Sequence, residues 1–332
     1  MAIQRPQLRK CDDPRRTPAT PANGVPEAWL TLGALEEHGI GLLDFDFFVD
    51  WSSDPISVTP LIWVKRVRTA RSVEDEPDLR DEIVAADGPE FLRLLGGFGQ
   101  HHCIEVAYAV IPNNVDWVKS PGTVSFVDVE PDGSLGAVCV ADITEVRDRI
   151  RTYSGGQVFV GRKGLIFGTT ALECYLSHTD SAWPGDADGV LVDDDGHALA
   201  VLEFKKNTLH DDITEDTLAD YYPKPDHRKY DRLAALAEYL EVPLVVVFYG
   251  SRLGAKKTRI ERIEGPLGGL FATTCLVVDA PGEDKRLAAT FVDAVLEATS
   301  LEEWAYPVAA EEAGSYDATE VVDVRRVRMG DE

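Results

Sequence analysis

The sequence predicts an α/β protein: a mixed β-sheet core flanked by helices in the second half, preceded by a separate mixed α/β domain. Three observations carry this. Two apolar runs, Gly189 to Val192 and Ala198 to Leu202, flank the polar segment Asp193-Asp194-Asp195-Gly196-His197 and predict a β-hairpin. His227 to Leu240 sets Tyr230, Leu233, Ala234, Ala237 and Leu240 on one helical stripe. Pro243 to Tyr249 is a continuous apolar run of the kind that forms a strand buried on both faces.

In chain order, residues 1–24 are rich in Pro and Arg, lack the apolar centre of a secretory signal, and are expected to form a flexible leader. A short helix is expected from Pro26 to His38, with Gly39 as its stop, then strands at Leu43 to Val49 and Ile56 to Val67. Helices are predicted at Asp78 to Ala86 and Pro89 to Leu95, the second stopped by Gly96-Gly97. Strands follow at Ile104 to Ile111, Thr123 to Val129 and Gly136 to Ala141. Gly96-Gly97-Phe98-Gly99 has no following Lys-Ser or Lys-Thr, and Gln100-His101-His102-Cys103 reads as strand, where neighbouring side chains diverge. Both are assigned structural roles.

Residues 25–150 thus form an α/β region of unnamed role, ending in a helix at Ile143 to Tyr153. The second domain is expected to span 151–310, ahead of an acidic tail at 311–332. It opens with a short strand at Val158 to Gly161 and a helix capped by Gly168-Thr169-Thr170 that carries Glu173. After the hairpin, the polar stretch Asn207 to Asp226 is long for a connection and predicts a functional loop or lid. Beyond the buried strand come a basic loop, Arg252 to Arg262, a strand at Cys275 to Asp279 and a helix from Asp284 to about Trp304. Glu320 to Val327 can form an edge strand.

Composition narrows the class. The 332 residues are 44% hydrophobic and 27% charged, which suits globular domains. No apolar run approaches the roughly 18 residues of a membrane span. The five cysteines are scattered, never in a Cys-x-x-Cys pair, and are expected as reduced thiols in a cytoplasmic protein. A net charge of -25 opposes strong non-specific nucleic-acid binding, although basic clusters occur at Lys65 to Arg71, Arg147 to Arg151, Arg162-Lys163, Arg228-Lys229 and Arg252 to Arg262.

The hairpin carries the chemistry. If Asp194 to His197 form a four-residue turn, Asp193 pairs with Ala198, and counting by twos sets Asp188 opposite Glu203, with Cβ atoms about 5 Å apart. Lys205 shares the face of Glu203, while Leu202 and Phe204 point into the core. Opposed carboxylates beside apolar strands call for a cation, and Mg²⁺ is typically held by one or two carboxylates with water and phosphate oxygens. Lys205 could then orient or deprotonate an attacking water. Asp186 is a second candidate for the first carboxylate.

The order of these parts is a helix, a strand with Gly185-Asp186-Ala187-Asp188, a strand with Glu203-Phe204-Lys205, a helix with Tyr230, and a buried strand. It resembles the core of the PD-(D/E)XK nuclease superfamily, the restriction-endonuclease-like fold, in its RecB-like pattern. The resemblance covers about residues 155 to 250. It implies a Mg²⁺-dependent deoxyribonuclease, with Mn²⁺ able to substitute, in which Asp188 and Glu203 hold metal, Lys205 is the catalytic lysine and Glu173 stands for the family's acidic residue on the first helix. Lys206, Arg228, Lys229, Tyr230, Lys256 and Lys257 become the expected substrate contacts. DNA is the expected partner, in repair or phage defence, with a protein partner for the N-terminal domain, a possible homo-oligomer and no membrane. The competing expectation is a non-catalytic nuclease-like module that binds nucleic acid or protein.

Overall fold

The structure, a computed structural model, describes residues 3–13, 18, 20–30, 35–69, 78–113, 115–160, 164–208, 213–223, 226–300 and the backbone of 320–321. The elements in chain order are β1 (Ile3–Gln4), β2 (Arg9–Lys10), α1 (Pro26–Leu30), β3 (Ile40–Asp50), β4 (Ser57–Arg68), α2 (Leu79–Asp87), α3 (Pro89–His102), β5 (Glu105–Pro112), β6 (Val124–Val129) and β7 (Leu135–Ala141). They continue with α4 (Ile143–Tyr153), β8 (Phe167–Gly168), α5 (Ala171–Leu176), β9 (Gly185–Asp193), β10 (Ala198–Asn207), α6 (His227–Leu240), β11 (Leu244–Gly250), β12 (Lys257–Glu264), β13 (Phe271–Asp279), α7 (Lys285–Thr299) and β14 (Glu320–Val321). They form two compact units, one of Met1–Ala19 with Gly39–Ala198, the other of Thr20–His38 with Leu199–Glu332.

The first unit holds strands in the order β9-β3-β4-β5-β6-β7, with β1 added beside β4. β4 and β5 are parallel and the other pairs antiparallel. A parallel pair needs a crossover, which α2 and α3 supply. Phe48, Trp63, Phe126, Val146, Ile150, Leu172, Leu176 and Trp183 close the core on one side. Two helices begin as their sequences dictate: Asp142 and Glu145 form a capping box on α4, and Thr170 and Glu173 form one on α5.

Helix α3 overrides its glycine stop and runs on to His102. The glycines serve close approach: a Cβ on Gly96 would stand 2.4 Å from the Glu130 carbonyl oxygen, and one on Gly97 would stand 2.6 Å from that of Asp195. Alanine is worth about 1 kcal/mol over glycine in a helix, but pressing a methyl into backbone costs about 1–3 kcal/mol. Gly96→Ala is therefore expected to lower stability by about 1–2 kcal/mol in urea denaturation, and a stabilised variant would contradict this packing. His101 and His102 lie on this helix rather than on a strand. His101 stacks on His197 at 3.8 Å, and His102 Nε2 accepts from the Ala198 amide at 3.0 Å.

The leader is tied into the fold: β1 pairs with β4 and β2 with β8. The second pairing brings Cys11 to Cys174, and the two form a disulfide, which corrects the expectation of reduced thiols throughout; Cys103, Cys139 and Cys275 are free. Among the described residues an isolated bridge, Val158 to Ser181, stands where the strand from Val158 to Gly161 was expected, and Gly161 lies outside them.

The second unit holds strands in the order β10-β11-β12-β13-β14. β10 and β11 are parallel, joined through α6, and the remaining pairs are antiparallel. Every residue of β11 is buried, as its apolar run requires. On one sheet face Trp29 of α1 meets Phe291 of α7 and Tyr249 of β11, with ring centroids 5.3 and 6.2 Å away. The expected basic loop contains strand β12, because Thr258, Ile260 and Ile263 turn inward between its charges. Arg162-Lys163, residues 70–71 of the first basic cluster, residues 301–304 of the last helix and 322–327 of the edge strand lie outside the described residues. Among the described residues no helix is long and apolar enough to cross a membrane.

Candidate active site

In the second unit β10 carries Glu203 and Lys205 on the sheet face that α6 covers. A crossover helix starts above the C-terminal end of the strand it follows and runs back along it. Its first residues therefore meet the strand's last, and later residues meet earlier ones. Lys205 Nζ bonds Asp226 Oδ2 at 2.5 Å, just before α6, and one strand repeat earlier Glu203 Oε1 pairs with Lys229 Nζ at 2.7 Å. Two strand residues advance about 6.6 Å and three helix residues about 4.5 Å, so the two contacts are in step.

Glu203 is 1% exposed. Its second oxygen, Oε2, accepts no hydrogen bond among the described residues, and neither does the buried Tyr230 hydroxyl find a partner. Burial, and then the Glu203 carboxylate, push the Tyr230 pKa upward, so the phenol keeps its proton. The Lys205 ammonium also stands 4.2 Å from the centroid of the Tyr221 ring. Tyr221 in turn stacks on Phe248, and the Leu218 amide donates to Glu261 Oε2 at 2.9 Å, so the described part of the 207–226 stretch lies over the charged face of this sheet.

The first unit holds a second charged group. Lys65 Nζ bonds Glu173 Oε1 and lies 3.2 Å from Asp46 Oδ1, with all three side chains largely buried. Trp183 Nε1 donates to Asp46 Oδ2 at 2.9 Å, and Thr169 donates to Glu173 from both its amide and its hydroxyl. Asp186 stands opposite Asp46 in the ladder. Burial pushes the Asp46 carboxyl up to about 7 despite the Lys65 charge. For Lys65 burial opposes the charge, but Asp46 and Glu173 outweigh it and hold its pKa above the usual lysine value.

Because Asp46 binds its proton more tightly in the folded state, its contribution to stability is full below the unfolded carboxyl value near 4 and is lost as pH rises through about 7. Asp46→Asn is expected to remove that decline, which amounts to at most about 1.4 kcal/mol per pH unit for one proton. Urea denaturation between pH 4.5 and 7.5, roughly spanning the two values, measures it, and parallel curves for parent and variant would refute it.

The remaining predicted residues divide between the units. Asp188 lies half-buried on β9 of the first unit, where the ladder to β3 slips: Leu43 faces Val190 and Phe45 faces Ala187, leaving Asp188 and Gly189 against Asp44. The turn also differs from the expected one. Gly196 N donates to Asp193 O and Asp193 N to His197 O, both at 3.0 Å, so the loop is the three residues Asp194 to Gly196, with Gly196 at φ +91. The count that opposed Asp188 to Glu203 loses its starting pair, because Asp193 faces His197 rather than Ala198. Glu173 is engaged by Lys65 and its own cap. Of the expected substrate contacts, Arg228 and Lys256 are exposed, Lys206 is half-buried, Lys229 holds Glu203, Lys257 pairs with Asp279 at 3.0 Å, and Tyr230 is buried.

Asp46 and Lys65 do not stand out in the sequence, because the basic run Lys65 to Arg71 reads as a solvated surface. The available signal was a second Asp-x-Asp, Asp44 to Asp46, followed by a strand lysine. Among the described residues no group of three or more His, Cys, Asp or Glu side chains forms a ready metal-ligand set. Compared with known families and with curated proteins, the chain matches no family model and no curated sequence.

Proposed function

We propose that the chain is a metal-dependent phosphodiester hydrolase acting on DNA, with Glu203 and Lys205 of β10 at its centre. The observation that carries this reading is the unpartnered Oε2 of a fully buried Glu203. A buried carboxylate oxygen left without a donor costs about 1–3 kcal/mol, and a bound cation would offset that. Glu203 therefore fits a divalent ion. When bound, Mg²⁺ or Mn²⁺ supplies Lewis-acid stabilisation of charge on the scissile phosphate.

The chain's own residues do the rest. Lys229 neutralises one oxygen of Glu203 and fixes the carboxylate against α6. Asp226 and the Tyr221 ring hold the Lys205 ammonium, which can orient a water through its remaining donors or stabilise developing charge. Arg228 and Lys256, both exposed, offer phosphate contacts without making the surface basic overall. The acidic net charge and the few exposed cations then predict weak affinity for DNA with a shallow dependence on salt.

A non-catalytic binding module is the second reading, and the salt bridge that ties Lys205 to Asp226 favours it. Labelled linear, circular and branched DNA and RNA, incubated with Mg²⁺, Mn²⁺ or chelator, separate the two. Metal-dependent cleavage of DNA is expected. Binding without cleavage under every metal condition would overturn the nuclease reading in favour of the module.

A further inference from the structure

The two halves of the chain follow one path. The first runs strand β3, short turn, strand β4, helices α2 and α3, strand β5 parallel to β4, antiparallel strands β6 and β7, and helix α4. The second runs strand β9, short turn, strand β10, helix α6, strand β11 parallel to β10, antiparallel strands β12 and β13, and helix α7. The crossover helices α3 and α6 have 14 residues each. A short helix precedes the first strand of each path, and the memberships are exchanged: α1 belongs to the second unit and α5 to the first.

The chemistry-bearing positions repeat with the path. Asp44-Phe45-Asp46 on β3 matches Asp186-Ala187-Asp188 on β9, and Trp63-Val64-Lys65 on β4 matches Glu203-Phe204-Lys205 on β10. The first copy keeps the aspartate and the lysine and has tryptophan where the second has glutamate. Trp63 stands directly opposite Asp46 in the ladder. It is 2% exposed, with Phe48, Phe126 and Trp183 rings at 4.7, 4.9 and 5.3 Å, so that place is filled by core.

The two lysine sites differ in what they leave open. Around Lys65 all four carboxylate oxygens have donors: Asp46 Oδ1 from Lys65, Asp46 Oδ2 from Trp183, Glu173 Oε1 from Lys65 and Thr169, and Glu173 Oε2 from the Thr169 amide. Around Lys205 the Glu203 Oε2 has none. We infer that the first half of the chain is a closed, non-catalytic copy of the nuclease-like half, in which Trp63 fills the place of the metal-binding glutamate and Asp46, Lys65 and Glu173 form a structural ion-pair lock. This rests on the nuclease reading of the second half for its chemistry, and it assigns the N-terminal region its role: it supports the fold and holds no second centre.

The test uses the full chain. Asp46→Asn and Lys65→Met are each compared with Glu203→Gln and Lys205→Met for DNA cleavage, for Mn²⁺ binding by calorimetric titration, and for the urea midpoint. Asp46→Asn is expected to cleave within about threefold of the parent and to keep its Mn²⁺ stoichiometry, while Glu203→Gln loses Mn²⁺ binding. Lys65→Met is expected to lower the urea midpoint well beyond Lys205→Met. Loss of cleavage or of bound Mn²⁺ in a folded Asp46→Asn would overturn the closed copy, because the first half would then hold a working centre. If the parent neither cleaves nor binds Mn²⁺, the nuclease reading falls by itself. The lock is then judged by the midpoints alone, and equal shifts for Lys65→Met and Lys205→Met would reject it.

Discussion

Lys205→Ala and Glu203→Gln are each expected to lower Mg²⁺-dependent DNA cleavage by at least about 100-fold, the usual scale for removing one group that stabilises transition-state charge. The two variants fail for different reasons. Lys205 carries the only charge of its pair that can face a phosphate, since the Asp226 carboxylate repels it. Glu203→Gln keeps the shape and the contact to α6 but removes the negative charge that the buried Oε2 presents. Stability separates chemistry from damage. The Lys205 to Asp226 pair is partly exposed, at 21% and 32% of its side chains, so its loss costs about 1 kcal/mol or less. A folded Lys205→Ala that cleaves within tenfold of the parent, roughly 1.4 kcal/mol in barrier, would remove Lys205 from the centre.

Lys65→Met is expected to destabilise the chain by about 3–5 kcal/mol, the scale for breaking a buried pair and leaving its partners uncompensated. Lys65 faces two carboxylates in a site where all three side chains are no more than 11% exposed. Methionine fills a similar volume, which isolates the charge from the packing. The loss should be smaller at pH 5 than at pH 8, because Asp46, already raised to about 7 by burial, takes up a proton readily once the ammonium is gone. Adding Asp46→Asn and Glu173→Gln to Lys65→Met should recover part of the loss, as neutral groups no longer need the cation. Equilibrium denaturation at the two pH values measures all three effects, and a loss under about 1 kcal/mol would show that the cluster is hydrated rather than locked.

The sequence by itself determined the elements whose cause is local. Short apolar runs bounded by turn residues placed β9, β10 and β11, a period-3.6 stripe placed α6, and Gly168-Thr169-Thr170 marked the start of α5. It also singled out Glu203-x-Lys205, through its place on a hairpin after Asp188 and before an amphipathic helix and a buried strand. Tertiary structure decided the rest. Gly96 and Gly97 look like a stop until Glu130 and Asp195 are seen pressed against them. Cys11 meets Cys174 across 163 residues, and Lys65 meets Glu173 across 108. The turn after β9 is one residue shorter than its sequence suggests, because Asp193 pairs with His197. The physical reason is common to these cases: propensity and periodicity act over a few residues, whereas the partner that neutralises a charge, excludes a side chain or sets a register is chosen by packing between segments far apart in the chain.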